Sequence, residues 1–314
     1  LPVDRAALAH LPALPDPSAT FVCLDTETTG LATASGTVAF LVGLGWWEGD
    51  RFRQVQLLLP DHADEPALLE ALRSLLPPDP WLVSYNGRAF DWPLLVARYR
   101  MGRERPPELA GHLDLLPLVR RTFRHRLPDA RLRTVERELL GLRRVGDVDG
   151  WEIPGRYLGF LRGGSAEPLI DVVRHNDEDV RSLARLIAHL AAYLGQPDRW
   201  VDGHPGDLAA LARALRRDGR DHEAIDCLGI ARSLLGDAAL REPAGAAIAG
   251  DRARLLARLR RDADALEAWG ELTGTAGSVA AAAWIEIAKL REHRLRDPAG
   301  ALAATGEADR LVER

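Results

Sequence analysis

The chain has 314 residues and a formal net charge of −5 at pH 7, with 41 Lys and Arg against 46 Asp and Glu. This balance excludes a protein that holds nucleic acid by overall positive charge alone. The length suggests one large domain and a smaller one. An apolar content of 46% is enough for packed cores and excludes a mainly disordered chain.

Cysteine content and hydropathy predict a cytoplasmic protein. Cys23 and Cys227, the two cysteines, are too far apart in sequence for a disulfide framework or a zinc ribbon. No apolar run reaches the roughly 18 residues of a membrane span, and no secretory signal pattern occurs, so we expect neither insertion nor export. Because the chain begins at Leu1, we expect a fragment, a processed form or an engineered piece of a longer protein.

The first 195 residues mix short apolar runs with helical stretches. Strands are predicted at Phe21–Leu24, Thr37–Trp47, Arg51–Leu59 and Trp81–Ser84. Helices are predicted at Pro66–Leu76, Phe90–Tyr99, Leu115–Phe123, Leu132–Leu140 and Leu169–Leu194. The second and third strands form a hairpin around Gly49. This order predicts an α/β fold in which helices flank a mixed sheet.

The remainder of the chain has the pattern of an all-α domain at 207–314, after a Gly- and Pro-rich linker at 196–206. Its helical stretches include Leu211–Gly219, Leu256–Ala268 and Ile287–Ala301. Ala224, which follows the first stretch, Ala268 and Ala301 lie at successive intervals of 44 and 33 residues. A period near 34 residues is typical of tetratricopeptide (TPR) arrays, although a plain bundle of Ala-rich helices is an alternative. The predicted domains are therefore 1–195 and 207–314.

An acidic pair follows the first predicted strand, in the stretch Asp25-Thr-Glu-Thr-Thr-Gly-Leu31. Residues two apart in a strand share a face, so Asp25 and Glu27 would present their carboxylates side by side. Two such charges repel unless a cation neutralises them. A polar strand end entering a turn at Gly30 is the alternative.

Two later motifs add to this pair. Asp91 follows a strand and a loop, where it is either an active carboxylate or a helix N-terminal charge. His175 and Asp179 lie four residues apart on one helix face, which by itself is typical of a solvated face. Together the motifs provide four carboxylates and an imidazole. This set suits phosphodiester hydrolysis with two divalent ions, Mg²⁺ or Mn²⁺, and a histidine base.

The motifs resemble a known family. In chain order they are Asp25-Thr-Glu27, Asn86 with Asp91, and His175 with Asp179. They resemble the three exonuclease motifs of the DEDD superfamily, also called DnaQ-like, which has a ribonuclease-H-like fold. The stretch Gly146–Tyr157 followed by His175-Asn176 resembles the YprB-like branch. The resemblance covers residues 19–194 and depends on all motifs occurring in order.

This resemblance implies a 3′-to-5′ exonuclease with residue roles carried over by motif. The implied metal ligands are Asp25, Glu27, Asp91 and Asp179, and His175 is the implied general base. The family places a histidine five residues, or a tyrosine four residues, before the last Asp, whereas His175 has the four-residue spacing. Asp177 competes for the role of fourth carboxylate. The candidate substrate-binding residues are Thr28, Gly30, Leu31, Asn86, Arg88, Phe90 and Asn176.

Three further features have a functional and a structural interpretation each. Between Arg98 and Arg144 there are 13 arginines against six acids, which form either a wall for phosphates or solvated helix faces. The Gly-rich segment Gly146–Gly164 is either a lid over the site or a packed Ω-like loop. His112 and Asp114 either support the site or, for Asp114, cap a helix.

The sequence thus predicts a metal-dependent exonuclease acting on single-stranded DNA or 3′ tails, with RNA as a possible substrate. A protein partner could bind the TPR-like region, and DNA repair is the pathway that the resemblance suggests. The rival hypotheses are a ribonuclease or ribonuclease-H-like endonuclease on the same fold, and a non-catalytic adaptor that binds nucleic acid or protein through its repeats.

Overall fold

The computed structural model describes residues 3–4, 8, 18–30, 36–195 and 203–312. The chain divides into two compact units, Leu1–Gly195 and Gln196–Arg314. The first unit contains the sheet and the second is helical.

A mixed five-stranded sheet forms the centre of the first unit. Its strands are β1 (Phe21–Thr28), β2 (Ala39–Glu48), β3 (Arg51–Leu58), β4 (Trp81–Ser84) and β5 (Gly111–Asp114). Their spatial order is β3-β2-β1-β4-β5. The first three strands pair antiparallel, whereas β1, β4 and β5 run parallel. The predicted mixed sheet is confirmed, and β1 lies at its centre.

Six helices follow or separate these strands within the described part of this unit. They are α1 (Glu65–Leu75), α2 (Asp91–Met101), α3 (Leu115–Phe123), α4 (Leu132–Leu139), α5 (Ile153–Leu161) and α6 (Glu167–Gly195). The helices predicted from sequence are confirmed to within two residues at each end. Two elements, β5 and α5, were absent from the sequence prediction.

Strand β1 continues beyond the predicted end at Leu24. Residues Phe21–Leu24 are buried, and the polar residues that follow are half-buried. Pairing with β2 continues through this polar part, with Asp25 opposite Gly43 and Glu27 opposite Leu41. The strand therefore carries both acidic residues with the alternation that places them on one face.

The long helix α6 packs against β2 where β2 carries glycine. A Cβ atom at Gly43 would lie 2.2 Å from Asn176 Oδ1, and one at Gly45 would lie 2.8 Å from Val180 Cγ1. Any side chain at these positions would push the helix away from the sheet. The two glycines thus allow α6 to approach the end of β1.

The segment Gly146–Gly164 is not an Ω-like loop, because its middle forms α5. Tyr157 on this helix is fully buried, stacks on Phe40 with ring centroids 4.0 Å apart, and donates a hydrogen bond to the Leu59 carbonyl at 3.0 Å. Trp151, just before the helix, is 77% exposed. The core contacts of Tyr157 fix the helix in place.

The second unit consists of helices that pack in consecutive pairs. They are α7 (Pro205–Arg217), α8 (Asp221–Ser233), α9 (Pro243–Arg258), α10 (Asp262–Thr273), α11 (Gly277–His293) and α12 (Pro298–Val312). The pairs are α7 with α8, α9 with α10, and α11 with α12. They begin at Pro205, Pro243 and Gly277, which are 38 and 34 residues apart. This confirms the predicted helical region, and α7 begins inside the predicted linker.

Candidate metal centre and active site

Five residues predicted to carry the chemistry lie together at the carboxyl end of β1. They are Asp25 and Glu27 on the strand, Asp91 at the first position of α2, and His175 and Asp179 on α6. The carboxyl groups are close enough that the charges of Asp179, Glu27 and Asp91 all act on Asp25. Three separate parts of the chain therefore form one acidic cluster.

The two ring nitrogens of His175 have different neighbours. One faces the acidic cluster, and the other contacts the carboxylate of Asp147. Its Nε2 is 3.9 Å from Glu27 Oε1 and 3.6 Å from Asp179 Oδ2. Its Nδ1 is 2.6 Å from Asp147 Oδ1. Burial opposes ionisation of Asp147, but hydrogen bonding to His175 and the charges of His175, Arg144 and Arg133 outweigh it and lower its pKa. The ionised Asp147 can only accept, so Nδ1 carries the proton and Nε2 is the basic nitrogen.

Burial raises the pKa of all four clustered carboxyls. Burial is the main cause for Asp25 and Glu27, and neighbouring carboxylate charges raise their pKa further. Burial also raises the pKa of Asp91 and Asp179, against the hydrogen bond from Thr26 in the first case and the charges of His175 and Arg144 in the second. Crowded carboxylate oxygens of this kind suit a hard divalent cation such as Mg²⁺ or Mn²⁺.

The ligand atoms of three of these residues are close enough to hold one ion. One atom each from Glu27, His175 and Asp179 lie within 4.8 Å of one another. With Asp25 and Asp91 beside them, the donor set fits divalent metal.

Hydrogen bonds fix the direction of two of the carboxylates. The Thr26 hydroxyl donates to Asp91 Oδ1. The Asn176 amide donates to Asp25 Oδ2 at 2.8 Å, and its own oxygen accepts from Gln56 Nε2 at 2.8 Å. Asn176 is fully buried, so its amide orients Asp25 and is not available to contact a substrate as the sequence had suggested.

Asp114 holds the loop that leads to Asp91. Its carboxylate accepts from the backbone N–H of Asn86 at 2.8 Å and of Arg88 at 3.3 Å. It also caps α3 by accepting from Leu116 N at 3.1 Å. Both interpretations of Asp114 are therefore correct. The loop is tight, because a Cβ atom at Gly87 would lie 3.0 Å from Asp91 Oδ2.

The other predicted substrate residues differ in their exposure to solvent. The side chains of Asn86 and Arg88 are exposed, and that of Phe90 is half-buried. The Thr28 hydroxyl donates to the Gly30 carbonyl at 2.7 Å. A Cβ atom at Gly30 would make only an ordinary contact with Thr37, so the packing seen here does not require glycine. Leu31 lies outside the described residues.

Asp177 points away from the cluster. Its side chain pairs with Arg181 at 2.8 Å on the same helix, and its backbone carbonyl accepts from Gln54. Asp179, one half-turn later, faces His175 instead. The geometry thus favours Asp179 as the fourth carboxylate.

Comparison with known proteins assigns the family. A family model described as RNase_H superfamily matches residues 22–191, which include the whole acidic cluster. The chain belongs to the RNase H superfamily. The uncharacterized protein YprB of Bacillus subtilis (strain 168) is 33% identical over 276 residues. That alignment covers 87% of this chain and 65% of YprB, so the chain spans less than two thirds of its relative.

The RNase H superfamily generally contains nucleases. The cluster at the end of β1 is the corresponding candidate site, with acidic and histidine groups able to bind metal. Among the described helices, none has the length and apolar content needed to cross a bilayer.

Sequence reasoning missed three residues that support this RNase H superfamily site. Arg144, Glu136 and Asp147 have 6%, 1% and 5% exposed side chains and connect to the cluster through hydrogen bonds. Arg144 contacts Asp179, and Asp147 contacts His175. For Asp147 alone, the sequence offered an indication, because this residue lies in the stretch Gly146–Tyr157 that resembles the YprB-like branch.

Proposed function

We propose that the protein is a metal-dependent 3′-to-5′ exonuclease acting on single-stranded DNA or 3′ tails. The observation that carries the proposal is the pair of contacts made by His175. Its Nδ1 is held by Asp147 at 2.6 Å, while its Nε2 faces Glu27 and Asp179. A base placed among carboxylates is the arrangement needed to deprotonate water next to a phosphodiester.

The proposed roles follow the positions of the side chains. Asp25, Glu27, Asp91 and Asp179 would hold two divalent ions, Mg²⁺ or Mn²⁺. Such ions, when bound, lower the pKa of water and stabilise the leaving oxygen. His175 Nε2 accepts the proton of the attacking water, and Asp147 stabilises the imidazolium that results. Hydrogen bonds from Asn176 and Thr26 hold the carboxylates of Asp25 and Asp91 in place, where they would bind the ions.

The proposed substrate path uses residues next to the cluster. Thr28, Gly30 and Leu31 follow the acidic pair and would receive the terminal nucleotide, since a glycine allows close approach to backbone. Phe90 would stack on a base, which requires an unpaired strand. Asn86 and Arg88 present exposed side chains from the loop before Asp91.

A basic surface for the phosphates would come from the segment Arg98–Arg144. Eleven of its 13 arginines are exposed. The other two are Arg98, which pairs with Glu65, and Arg144, which pairs within the site. Contacts between arginine and phosphate do not depend on the nucleotide sequence, and they weaken as the salt concentration rises.

The test uses the full chain with Mn²⁺ and oligonucleotides labelled at the 5′ end, as DNA and RNA in single- and double-stranded forms. An exonuclease gives a ladder that shortens from the 3′ end, and a 3′-phosphorothioate cap stops it. Internal cleavage of capped substrate would identify an endonuclease. Absence of cleavage in all four substrates would favour the adaptor.

Variants identify the source of the activity. Asp25→Ala and Asp179→Ala remove carboxylates of the cluster and are expected to abolish cleavage. Asp177→Asn is the matched control, because this acid lies on the same helix as Asp179 and pairs with Arg181. Cleavage that persists in the first two variants would come from a contaminant.

We further propose that the helical unit binds a protein partner. Its support is the succession of three helix pairs with starts 38 and 34 residues apart, close to the TPR period. DNA repair is the proposed setting. Pull-down with the full chain and with helix-surface variants would identify the partner, and the lack of any saturable binding would contradict this role.

A further inference from the structure

Arg144 is a buried cation surrounded by carboxylates of the site. Its side chain is 6% exposed. Nη2 donates to both Glu136 Oε1 and Asp179 Oδ1, and Nε donates to Glu136 Oε2 at 2.8 Å. Nη1 lies 3.3 Å from Asp147 Oδ2 and 3.5 Å from His175 Nδ1. A single guanidinium therefore lies next to Asp179, the proposed fourth metal ligand, and next to both His175, the proposed general base, and its supporting carboxylate Asp147.

Glu136 anchors this guanidinium. Its side chain is 1% exposed, and both of its oxygens accept from Arg144. If Arg144 moved away, a buried carboxylate would lose its charge partner, which is strongly unfavourable. Burial lowers the pKa of Arg144, but the hydrogen bond and charge of Glu136 and the charge of Asp179 outweigh it and hold that pKa above its ordinary value. The cation is thus fixed and charged.

The contacts of Asp179 differ between its two oxygens. Oδ1 accepts from Arg144, whereas Oδ2 faces His175 Nε2 at 3.6 Å. An arginine bound to one oxygen fixes the rotation of the carboxylate and leaves the other oxygen for a ligand.

We propose that Arg144 is a positioning residue that orients Asp179 as a metal ligand and, through Asp147, aligns His175. This inference rests on the proposed function and adds a residue that acts through its neighbours. Groups that orient metal ligands in this way typically change metal affinity by about 10- to 100-fold when removed. The contrary possibility is that Arg144 competes with the metal for Asp179, since both are cations.

Metal binding separates the two possibilities, because they predict opposite signs. In the full chain, Mn²⁺ affinity is measured by isothermal titration for the native protein and Arg144→Met. A positioning residue predicts a Kd weakened by about tenfold or more. A competing cation predicts tighter binding in Arg144→Met, and an unchanged Kd would also overturn the proposal.

Two further variants keep the test valid if Arg144→Met does not fold. Arg144→Lys keeps the charge but has a single ammonium group that cannot reproduce the fork between Glu136 and Asp179. Glu136→Gln keeps the shape of the anchor and removes its charge. Both are expected to weaken Mn²⁺ binding, to a smaller extent than Arg144→Met. Unchanged affinity in both folded variants would overturn the proposal.

The matched control is Arg174→Met on the same helix as Asp179. Arg174 is 57% exposed and pairs with Asp171 at 3.2 Å, so its loss should change the Mn²⁺ Kd less than twofold.

At saturating Mn²⁺, Arg144→Lys should lower kcat and leave KM within about twofold, since the base is misaligned while the substrate still binds.

The outcomes also separate this inference from the proposed function. If the native protein binds no Mn²⁺ and cleaves nothing, both fail. If the native protein binds Mn²⁺ and cleaves, while Arg144→Met binds Mn²⁺ equally well or better, the inference alone fails.

Discussion

His175 contacts the carboxylate of Asp147 through Nδ1 and faces the carboxylates of Glu27 and Asp179 with Nε2. Asp147 at Nδ1 fixes the tautomer, as carboxylates commonly do for catalytic histidines. Asp179, four residues later on the same helix, lies 3.6 Å from Nε2. The four-residue spacing that departs from the family pattern therefore still directs the ring at the cluster.

Replacing His175 tests its role in proton transfer. We expect His175→Ala to lower kcat by about 10²- to 10⁴-fold with little change in KM, because a general base acts in the transition state. Asp147→Asn should lower kcat by less, since the ring keeps its place but loses the charge that stabilises the imidazolium. Single-turnover cleavage of a labelled oligonucleotide measures both.

A nearby acid provides the control for these variants. Asp149 is 61% exposed, two residues from Asp147, and should tolerate Asp149→Asn with unchanged kcat. If His175→Ala cleaves at the native rate, the proton acceptor is another group or free hydroxide.

At the scale of residues, the sequence predicts which side chains belong to the site better than it predicts the contacts between them. Spacing and residue type identified the acids of β1, Asp91 and the pair on α6, since these follow from local geometry. The bonds of Arg144 to Glu136 and Asp179 join residues eight and 35 positions apart. No local pattern encodes such contacts, and the burial that turns Asn176 toward Asp25 depends on how α6 crosses the sheet.

At the scale of elements, prediction succeeded where an apolar run is continuous and failed where it is interrupted by polar residues, glycine or proline. Strand β5 has four residues, and Leu113 is its one buried residue. Helix α5 contains Pro154, Gly155 and Gly159, which are poor helix formers and made the segment resemble a loop. Its stability comes instead from packing of Tyr157 against the core, which is a tertiary effect.

The packing of α6 on β2 leads to a stability prediction. Gly43→Ala would place a methyl group 2.2 Å from Asn176 Oδ1, so the helix or the amide must move. Overpacking of this kind typically costs about 1 to 3 kcal/mol. We expect a lower free energy of unfolding and, because Asn176 orients Asp25, weaker Mn²⁺ binding. Urea unfolding and isothermal titration measure the two effects.

Gly159→Ala is the matched control in the same unit. A Cβ atom there meets nothing within 4 Å, and the residue lies inside α5. Alanine should stabilise the helix by up to about 1 kcal/mol. If Gly43→Ala is as well tolerated as this variant, α6 does not depend on a glycine at that position.

On the scale of the whole molecule, the net charge of −5 conceals two opposite regions. The acidic cluster gathers four carboxylates at one end of the sheet, and the segment Arg98–Arg144 carries 13 arginines against six acids. The net charge still excludes binding of nucleic acid by overall positive charge alone. Local charge is compatible with a metal site next to a phosphate-binding surface.

Salt dependence tests the proposed phosphate surface. For a single strand, the logarithm of the binding constant falls with the logarithm of salt concentration by about 0.7 per phosphate contact. Replacing Arg121 and Arg124, both exposed, by Gln should reduce this slope by about 1.4 if each contacts one phosphate. Fluorescence anisotropy with a catalytically inactive Asp25→Ala background measures the slope.

The second unit provides the control for this experiment. Arg258 and Arg310 have 62% and 67% exposed side chains, and their replacement by Gln should leave the slope unchanged. Equal loss of slope in both pairs would mean that the strand is held by general electrostatics over the surface. Unchanged slopes in both would remove Arg121 and Arg124 from the proposed path.

The acidic cluster also makes the stability of the whole protein depend on pH and metal together. The pKa values of Asp25, Glu27, Asp91 and Asp179 are raised on folding. Carboxyls with raised pKa values stabilise the fold fully below their unfolded pKa, near 4, and this contribution is lost as pH rises through the folded values. In chelator, Tm should therefore decrease from mildly acidic to neutral pH because of these groups.

Divalent metal should reverse this decrease, since it binds the ionised carboxylates and needs no proton. At a fixed Mn²⁺ concentration of 100 times the Kd at pH 7.5, the expected stabilisation at that pH is about 2.7 kcal/mol, or a rise in Tm of roughly 5 to 10 °C. Calorimetry at pH 5 and pH 7.5 should give a larger rise at pH 7.5. In Asp25→Asn with Asp179→Asn, the rise should vanish and the chelated protein should be more stable than native at pH 7.5. An equal Mn²⁺ effect at both pH values would place the metal elsewhere.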